Sequence, residues 1–420
     1  MKFNKWTLGL AAVGVVSLAS VAQAEEKALL AATTISGYVD TSAQWNVGTG
    51  NANLPRYKFG GAGKADGFNL NVVQISIAKP LDESQWAAGY KVDLWFGPDA
   101  KTLGTDSYIG LLNVASDFAI RQAYVALRAP VGNGLDFKMG VFDSIIGYES
   151  VESGNNPNYT RSYGHSIEPQ THTGVLATYR FSDVISASVG VANTIGPSIN
   201  ARAFPSPIGL NIAGVSIPSF ELPLGGDRAE SYKTYMGSVA LTAPESFGWA
   251  AGSTLYGGVV NGFNGPGAVT GVTQTSWYVG GTLATPVTGL KFGAAFDYMN
   301  VDHSLDKDMP DIWTAGAYAS YQATEKLSLH ARGEYLQAQP GDGGTKLTAL
   351  TGTVQYDLWK NVISRLEVRW DHSANGCKQF GGTPSAIDIE DGIGGILDSF
   401  QTDPTRKNAF MVALNVIYKF

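Results

Sequence analysis

Apolar side chains recur at every second position through much of this chain, in segments of about ten residues parted by polar links. Ile35, Val39, Ala43 and Trp45 fall on one face of such a segment, and Ser36, Asp40, Ser42 and Gln44 on the other. Tyr90, Val92, Leu94 and Phe96 alternate with Lys91, Asp93 and Trp95, and Leu135, Phe137, Met139 and Val141 with Asp136, Lys138 and Gly140. Later segments are cleaner. Leu327, Leu329, Ala331 and Tyr335 stand opposite Ser328, His330, Arg332 and Glu334. Leu366, Val368 and Trp370 stand opposite Arg365, Glu367, Arg369 and Asp371. A helix would scatter these charges round its axis, whereas a strand sorts them to one side.

About ten residues is also what a tilted strand needs to cross the hydrocarbon of a bilayer. The links between segments alternate in length. Short ones carry Pro, Gly, Asp or Asn, at 80–85, 130–134, 182–183, 286–289, 324–326 and 358–361. Long polar ones lie at 46–67, 98–117, 143–169, 195–231, 261–272, 300–311, 337–345 and 374–407. This alternation predicts an all-β fold: one transmembrane antiparallel up-and-down β-barrel over residues 34–420. It would have about 16 strands, short periplasmic turns and long outer loops. Polar side chains would line the lumen and apolar ones face lipid, the reverse of a soluble sandwich. In the last segment Phe410, Val412, Leu414, Val416, Tyr418 and Phe420 alternate with Met411, Ala413, Asn415, Ile417 and Lys419. An edge strand with one apolar face needs a partner, so closure against the first strand is expected.

Composition narrows the compartment. Lys2 and Lys5, the apolar run Trp6 to Val16 and the small residues around Ala22-Gln23-Ala24 read as a secretory signal peptide over 1–24, with a short periplasmic segment at 25–33. Removing 1–24 takes away Lys2 and Lys5 and no acid, so the formal charge of −7 becomes −9. A mildly acidic exported chain lacks the basic face that nucleic acid requires. The lone Cys377 excludes an internal disulfide. Charged residues are 15% of the chain, against ~25% in soluble domains. With 51 glycines and no 18-residue apolar stretch after residue 24, apolar surface facing lipid from strands is the reading that accounts for both.

Arg121-Gln122-Ala123-Tyr124-Val125-Ala126-Leu127, Gly140-Val141-Phe142-Asp143, Gly147-Tyr148-Glu149, the run Asn156 to Tyr163 and Pro169-Gln170-Thr171-His172-Thr173-Gly174 together resemble the β-barrel porin family described as OmpL-like. The resemblance is densest over 118–195 and implies a porin of the cell outer membrane of a Gram-negative bacterium, without a cofactor. Val141 stands where the family often carries a second basic residue, so no charge selectivity comes with the resemblance. In porins of this size the third long loop commonly folds inward, which implies a constriction loop at 143–169. The terminal Tyr418 and Phe420 resemble the signal by which such barrels are handed to the barrel assembly machinery. Outer-membrane lipid, lipopolysaccharide, small hydrophilic solutes and a homotrimer are the partners implied.

A bore this wide encloses water, so function is expected at its narrowing. The loop brings Asp143, Glu149, Glu152 and Glu168, with Arg161 as counter-charge. The wall brings Arg332, Glu334, Arg365, Glu367, Arg369 and Asp371. Opposed rings of charge would orient polar solutes and filter ions; the plainer alternative is that these charges pair with one another. Tyr159 and His172 lie in the matched run; His172, beside two threonines, reads as a hydrogen-bonding support of the loop, with solute binding as the alternative. His330 and His372 lack the spacing of zinc ligands. Asp388-Ile389-Glu390-Asp391 reads as a solvated acidic loop and lacks a full calcium pattern. Gly60-Gly61-Ala62-Gly63-Lys64 has no following Ser or Thr and is no phosphate loop.

The reading is therefore a water-filled channel for passive diffusion of small hydrophilic solutes and ions, with no catalytic residue. Two others compete: an adhesive or structural barrel whose long loops bind a partner, and a barrel enzyme of the phospholipase kind. No Gly-x-Ser-x-Gly elbow supports the latter.

Overall fold

The computed structural model describes residues 33–48, 50–82, 84–105, 116–202, 210–212, 215–217, 231–263, 273–302, 310–339, 344–383 and 403–420. The expected signal peptide, all of the 25–33 segment except Thr33, and the acidic run at 388–391 lie outside them. The first strands are β1 (Thr34–Trp45), β2 (Gly67–Lys79), β3 (Ala87–Phe96), β4 (Phe118–Ala129), β5 (Leu135–Asp143), β6 (Thr171–Arg180) and β7 (Ile185–Ala192). A short hairpin of β8 (Leu210–Ile212) and β9 (Val215–Ile217) sits within the fourth long link. Then come β10 (Thr234–Thr242), β11 (Thr254–Phe263), β12 (Thr273–Ala284), β13 (Leu290–Val301) and β14 (Asp311–Gln322). The chain ends with β15 (Leu327–Gln339), β16 (Thr345–Trp359), β17 (Val362–Ser373) and β18 (Asn408–Lys419).

All but β8 and β9 form one closed antiparallel barrel of sixteen strands, each paired with its sequence neighbours, β7 with β10 across the hairpin and β1 with β18. The expected strand count, long and short links and closure all hold. One short link escaped the sequence reading. Residues 243–253 are too long for a tight turn and coil into a 3-10 helix at Glu245–Ala250, which exposes Phe247 and Trp249.

Alternation sorts the side chains as expected. On β17, Leu366 and Val368 are 46% and 51% exposed, whereas Arg365, Glu367 and Arg369 between and beside them are at 2%, 0% and 0%. Aromatic pairs gird the long-loop rim, among them Trp45–Phe68, Phe96–Phe118, Trp313–Tyr335 and Trp370–Phe410. Trp86, Phe181, Phe247 and Trp359 stand exposed at the short-turn rim. Amphipathic rings favour such interfaces. Among the described residues no helix is long and apolar enough to span a membrane.

The seam between first and last strands runs from Tyr38↔Lys419 to Trp45↔Val412. It is locked at its end by two backbone bonds of 2.9 Å, in which the N–H of Gly37 donates to Phe420 O and that of Phe420 to Gly37 O. Gly37 has no room for a side chain, since a Cβ would fall 2.2 Å from Gln74 O and 2.7 Å from the Phe420 ring. Gly37→Val should therefore weaken closure and lower the temperature at which the folded, fast-migrating band disappears in unheated gel electrophoresis.

Candidate functional site: a loop fixed across the lumen

Residues 144–170, between β5 and β6, leave the wall and cross the bore to the opposite strands. A non-helical backbone at membrane depth carries N–H and C=O groups that protein must satisfy. The inward register of β15 to β17 supplies the partners. Arg332 donates to Thr160 O at 2.7 Å, to Arg161 O at 3.2 Å and to the Glu149 carboxylate at 2.9 Å. Arg365 donates to Ser153 O at 3.1 Å and Asn156 O at 2.7 Å, and Arg369 to Arg161 O at 2.8 Å. The carboxylates take the loop's donors. Glu367 accepts the N–H groups of Tyr159 and Thr160 at 2.6 and 2.9 Å, and Glu334 that of Tyr163 at 2.6 Å. Asp371 accepts the Tyr163 hydroxyl at 2.6 Å.

The spacing in sequence explains this fit. Arg332-x-Glu334 and Arg365-x-Glu367-x-Arg369-x-Asp371 place alternating charges on one face at strand period. Donors thus meet loop carbonyls and acceptors meet loop amides in turn. The charges balance in number, Arg161, Arg332, Arg365 and Arg369 against Glu149, Glu334, Glu367 and Asp371. Arg332 and Arg369 pair with Glu149, Glu334 and Asp371, while Arg161 and Arg365 bond backbone carbonyls. Arg369 is also held between the rings of Tyr57 and Tyr163, 4.4 and 5.0 Å from their centroids. The expected open field of opposed charges is in this sector a closed network, because the loop covers the wall charges and removes them from water.

On the other side of the loop a residue that the sequence reading left without a role gathers three carboxylates. Arg121 of β4 bonds Asp143 at 2.7 Å, Asp93 at 2.9 Å and Glu152 at 2.7 Å. Its inward register was the available signal. Here water still reaches the charges, the side chains of Asp143 and Glu152 being 36% and 20% exposed. Glu168, at the loop's far end, is buried beside Asp297 and His165. Burial, with Asp297 opposite, holds the Glu168 carboxyl well above the ordinary range. Burial likewise pushes the His165 imidazole well down, helped by Arg161 and Lys58.

The remaining residues are supports. His172 is fully buried and makes long contacts of 3.4 Å to Thr194 O and Ser144 Oγ. Tyr159 shares a 2.9 Å hydroxyl bond with Ser42. His372 bonds Asn408 at the rim, and Tyr418 and Phe420 face outward, each 50% exposed. In the glycine-rich run, Lys64 pairs with Asp99 at 2.5 Å, a contact between two outer loops. Among the described residues no cluster could hold a metal ion.

The other half of the lumen is of different character. From β6 to β14 the inward side chains are mostly Ser, Thr, Gly, Ala and Tyr, and Ile145 and Ile146 of the loop pack there against Leu176, Met236, Val260 and Tyr278. Two wall glycines make this approach possible. A Cβ on Gly258 would meet Ile146 at 2.7 Å, and one on Gly293 the Tyr148 hydroxyl at 1.9 Å.

A sixteen-stranded barrel, lipid-facing outside and crossed by an anchored loop, defines the class of outer-membrane porin-like β-barrels. Residues 32–416 match the family described as Putative beta-barrel porin-2, OmpL-like, and the chain belongs to that family. It lies in the cell outer membrane. No curated protein matches the sequence. Solved structures share the fold at low identity. The anion-selective porin from Comamonas acidovorans is 11% identical with TM-score 0.53, covering 92% of this chain and 99% of that one. OmpF of Salmonella typhi, complexed with daunomycin, is 12% identical with TM-score 0.52, covering 92% and 97%. In-vitro folded OmpT of Vibrio cholerae, described in a trimer form, is 13% identical with TM-score 0.50, covering 92% and 99%.

Two outcomes follow from the anchoring. Arg332→Met strands Glu149 and Glu334 inside the barrel and should destabilise the fold by ~3–5 kcal/mol, read by urea unfolding, while exposing 144–170 to protease. Glu168 carries a raised pKa, so its burial costs nothing at acid pH, where it is protonated folded or unfolded. The penalty builds as pH rises above the ordinary glutamate value and through the raised one. Glu168→Gln should therefore raise the melting temperature at pH 8 and change it much less at pH 4.

Proposed function

We propose that this protein is a non-enzymatic channel through which small hydrophilic solutes and ions cross the outer membrane by passive diffusion, with the segment 143–169 as its constriction. The reading rests above all on the loop pinned across a sixteen-stranded bore. Arg332, Glu334, Arg365, Glu367, Arg369 and Asp371 hold the constriction in place and contribute little net field. Asp143 and Glu152, still partly wet, give it a slight preference for cations, with Glu149, Arg161 and Glu168 as internal struts. Tyr418 and Phe420 serve as the assembly signal. A homotrimer in lipid and lipopolysaccharide is the proposed state, in keeping with the trimer form described for the Vibrio cholerae OmpT of similar fold.

Refolded protein in a planar bilayer should conduct, with a reversal potential near zero under a potassium chloride gradient. Asp143→Asn with Glu152→Gln should move that potential toward anion preference. Arg365→Glu with Arg369→Glu should free the loop, raising conductance and current noise. A well-folded protein that carries no current would reject the channel.

A further inference from the structure

The lumen keeps an open space where the loop meets the half of the wall poor in charge. A cavity of ≈ 740 Å³ lies between residues 144–157 and the short-turn ends of β10 to β16, within the ~300–1,000 Å³ usual for small-molecule sites. Tyr148, Tyr256, Tyr278 and Tyr318 line it, with Phe292 and His330. Lys291 at the rim is the one formal charge among its lining side chains, and no carboxylate lines it. On β15 to β17 the acids and arginines are taken up by the loop. A solute passing here meets rings, hydroxyls and amides.

Two features give the cavity a shaped surface. The Tyr148 ring stacks on Tyr318 at 4.1 Å with an interplanar angle of 23°, and remains only half-buried. Its position is set from both ends: Gly293 leaves room for its hydroxyl, and the adjoining Glu149 is held by Arg332. Beside it runs a chain of polar groups, His330 bonding Ser320 and Ser328 at 2.9 Å each. An ion would give up hydration here with little return, whereas a neutral hydroxylated solute loses far less. A pyranose ring fits better than an open chain. Its C–H faces are apolar and can lie on an aromatic ring, while its hydroxyls project outward to hydrogen-bonding side chains.

We infer that this cavity is a binding subsite for a neutral cyclic sugar, with Tyr148 as the stacking platform and Ser320, His330 and Ser328 as polar partners. The inference rests on the channel reading and names the solute class that the channel favours.

The test uses full-length protein in detergent and in bilayers, with D-glucose, its open-chain counterpart D-sorbitol, and D-glucuronate, the anionic ring. Glucose should bind in equilibrium dialysis and interrupt the ion current, and sorbitol should do neither at equal concentration. Tyr148→Phe keeps the ring and should bind glucose as the wild type does. Tyr148→Leu should weaken binding about fivefold, the scale of a lost aromatic contact. Equal effects of glucose and sorbitol, or tighter binding of glucuronate than of glucose, would overturn the subsite. These wild-type comparisons stand even where Tyr148→Leu fails to fold. Current without glucose binding removes the subsite alone, whereas glucose binding without current removes the channel and keeps the subsite.

Discussion

Irregular backbone inside a membrane-embedded bore is tolerable only if each peptide group finds a protein partner. That constraint organises this molecule. Residues 144–170 cannot lie across the lumen as a bare loop, because neither lipid nor a narrow water column would replace the hydrogen bonds they give up. The arginines and carboxylates of β15 to β17 meet the need group by group, which is why so many charges stay fully buried without a net field. Burying ion pairs is weak evidence of stability in itself. Here their value is positional: they convert a flexible connection into a fixed partition.

The same constraint accounts for the division of the bore. The partition is held by charge on one side and by shape on the other, where Gly258 and Gly293 leave recesses for Ile146 and Tyr148. Two of the wall's glycines thus have a local cause. Strand glycines weaken a sheet unless close approach requires them, and here the approaching groups are the loop's large side chains.

The sequence showed the barrel well because its signal is periodic and local: Leu366-Glu367-Val368-Arg369 states its two faces without reference to anything distant. It also sorted the wall arginines to the polar face of their strands. It could not show what they touch. Arg365 and Arg369 bond backbone carbonyls some two hundred residues away in the chain, and carbonyls are the same at every position, so no pattern marks the partner. Arg121 was missed because its three carboxylates come from three separate segments. The 243–253 link was missed because its Pro244, Gly248 and Gly252 are spread among Phe247, Trp249 and three alanines, so that no compact cluster of turn residues stands out. The rhythm of two records which way a side chain points and leaves open what it meets there.

Separating anchorage from the uncharged wall has a consequence for how such a molecule can change. Away from the residues that touch the loop (Met236, Tyr256, Gly258, Val260, Tyr278, Gly293, Asp297 and Tyr318), substitutions on the inner face of β10 to β14 alter what a traveller brushes against without loosening the partition, so permeability can drift while architecture stays put. Arg332, Glu334, Arg365, Glu367 and Arg369 on β15 to β17 have no such freedom, since each holds a peptide group of the loop. One sheet thereby carries a conservative arc and an adaptable arc, side by side on the same cylinder.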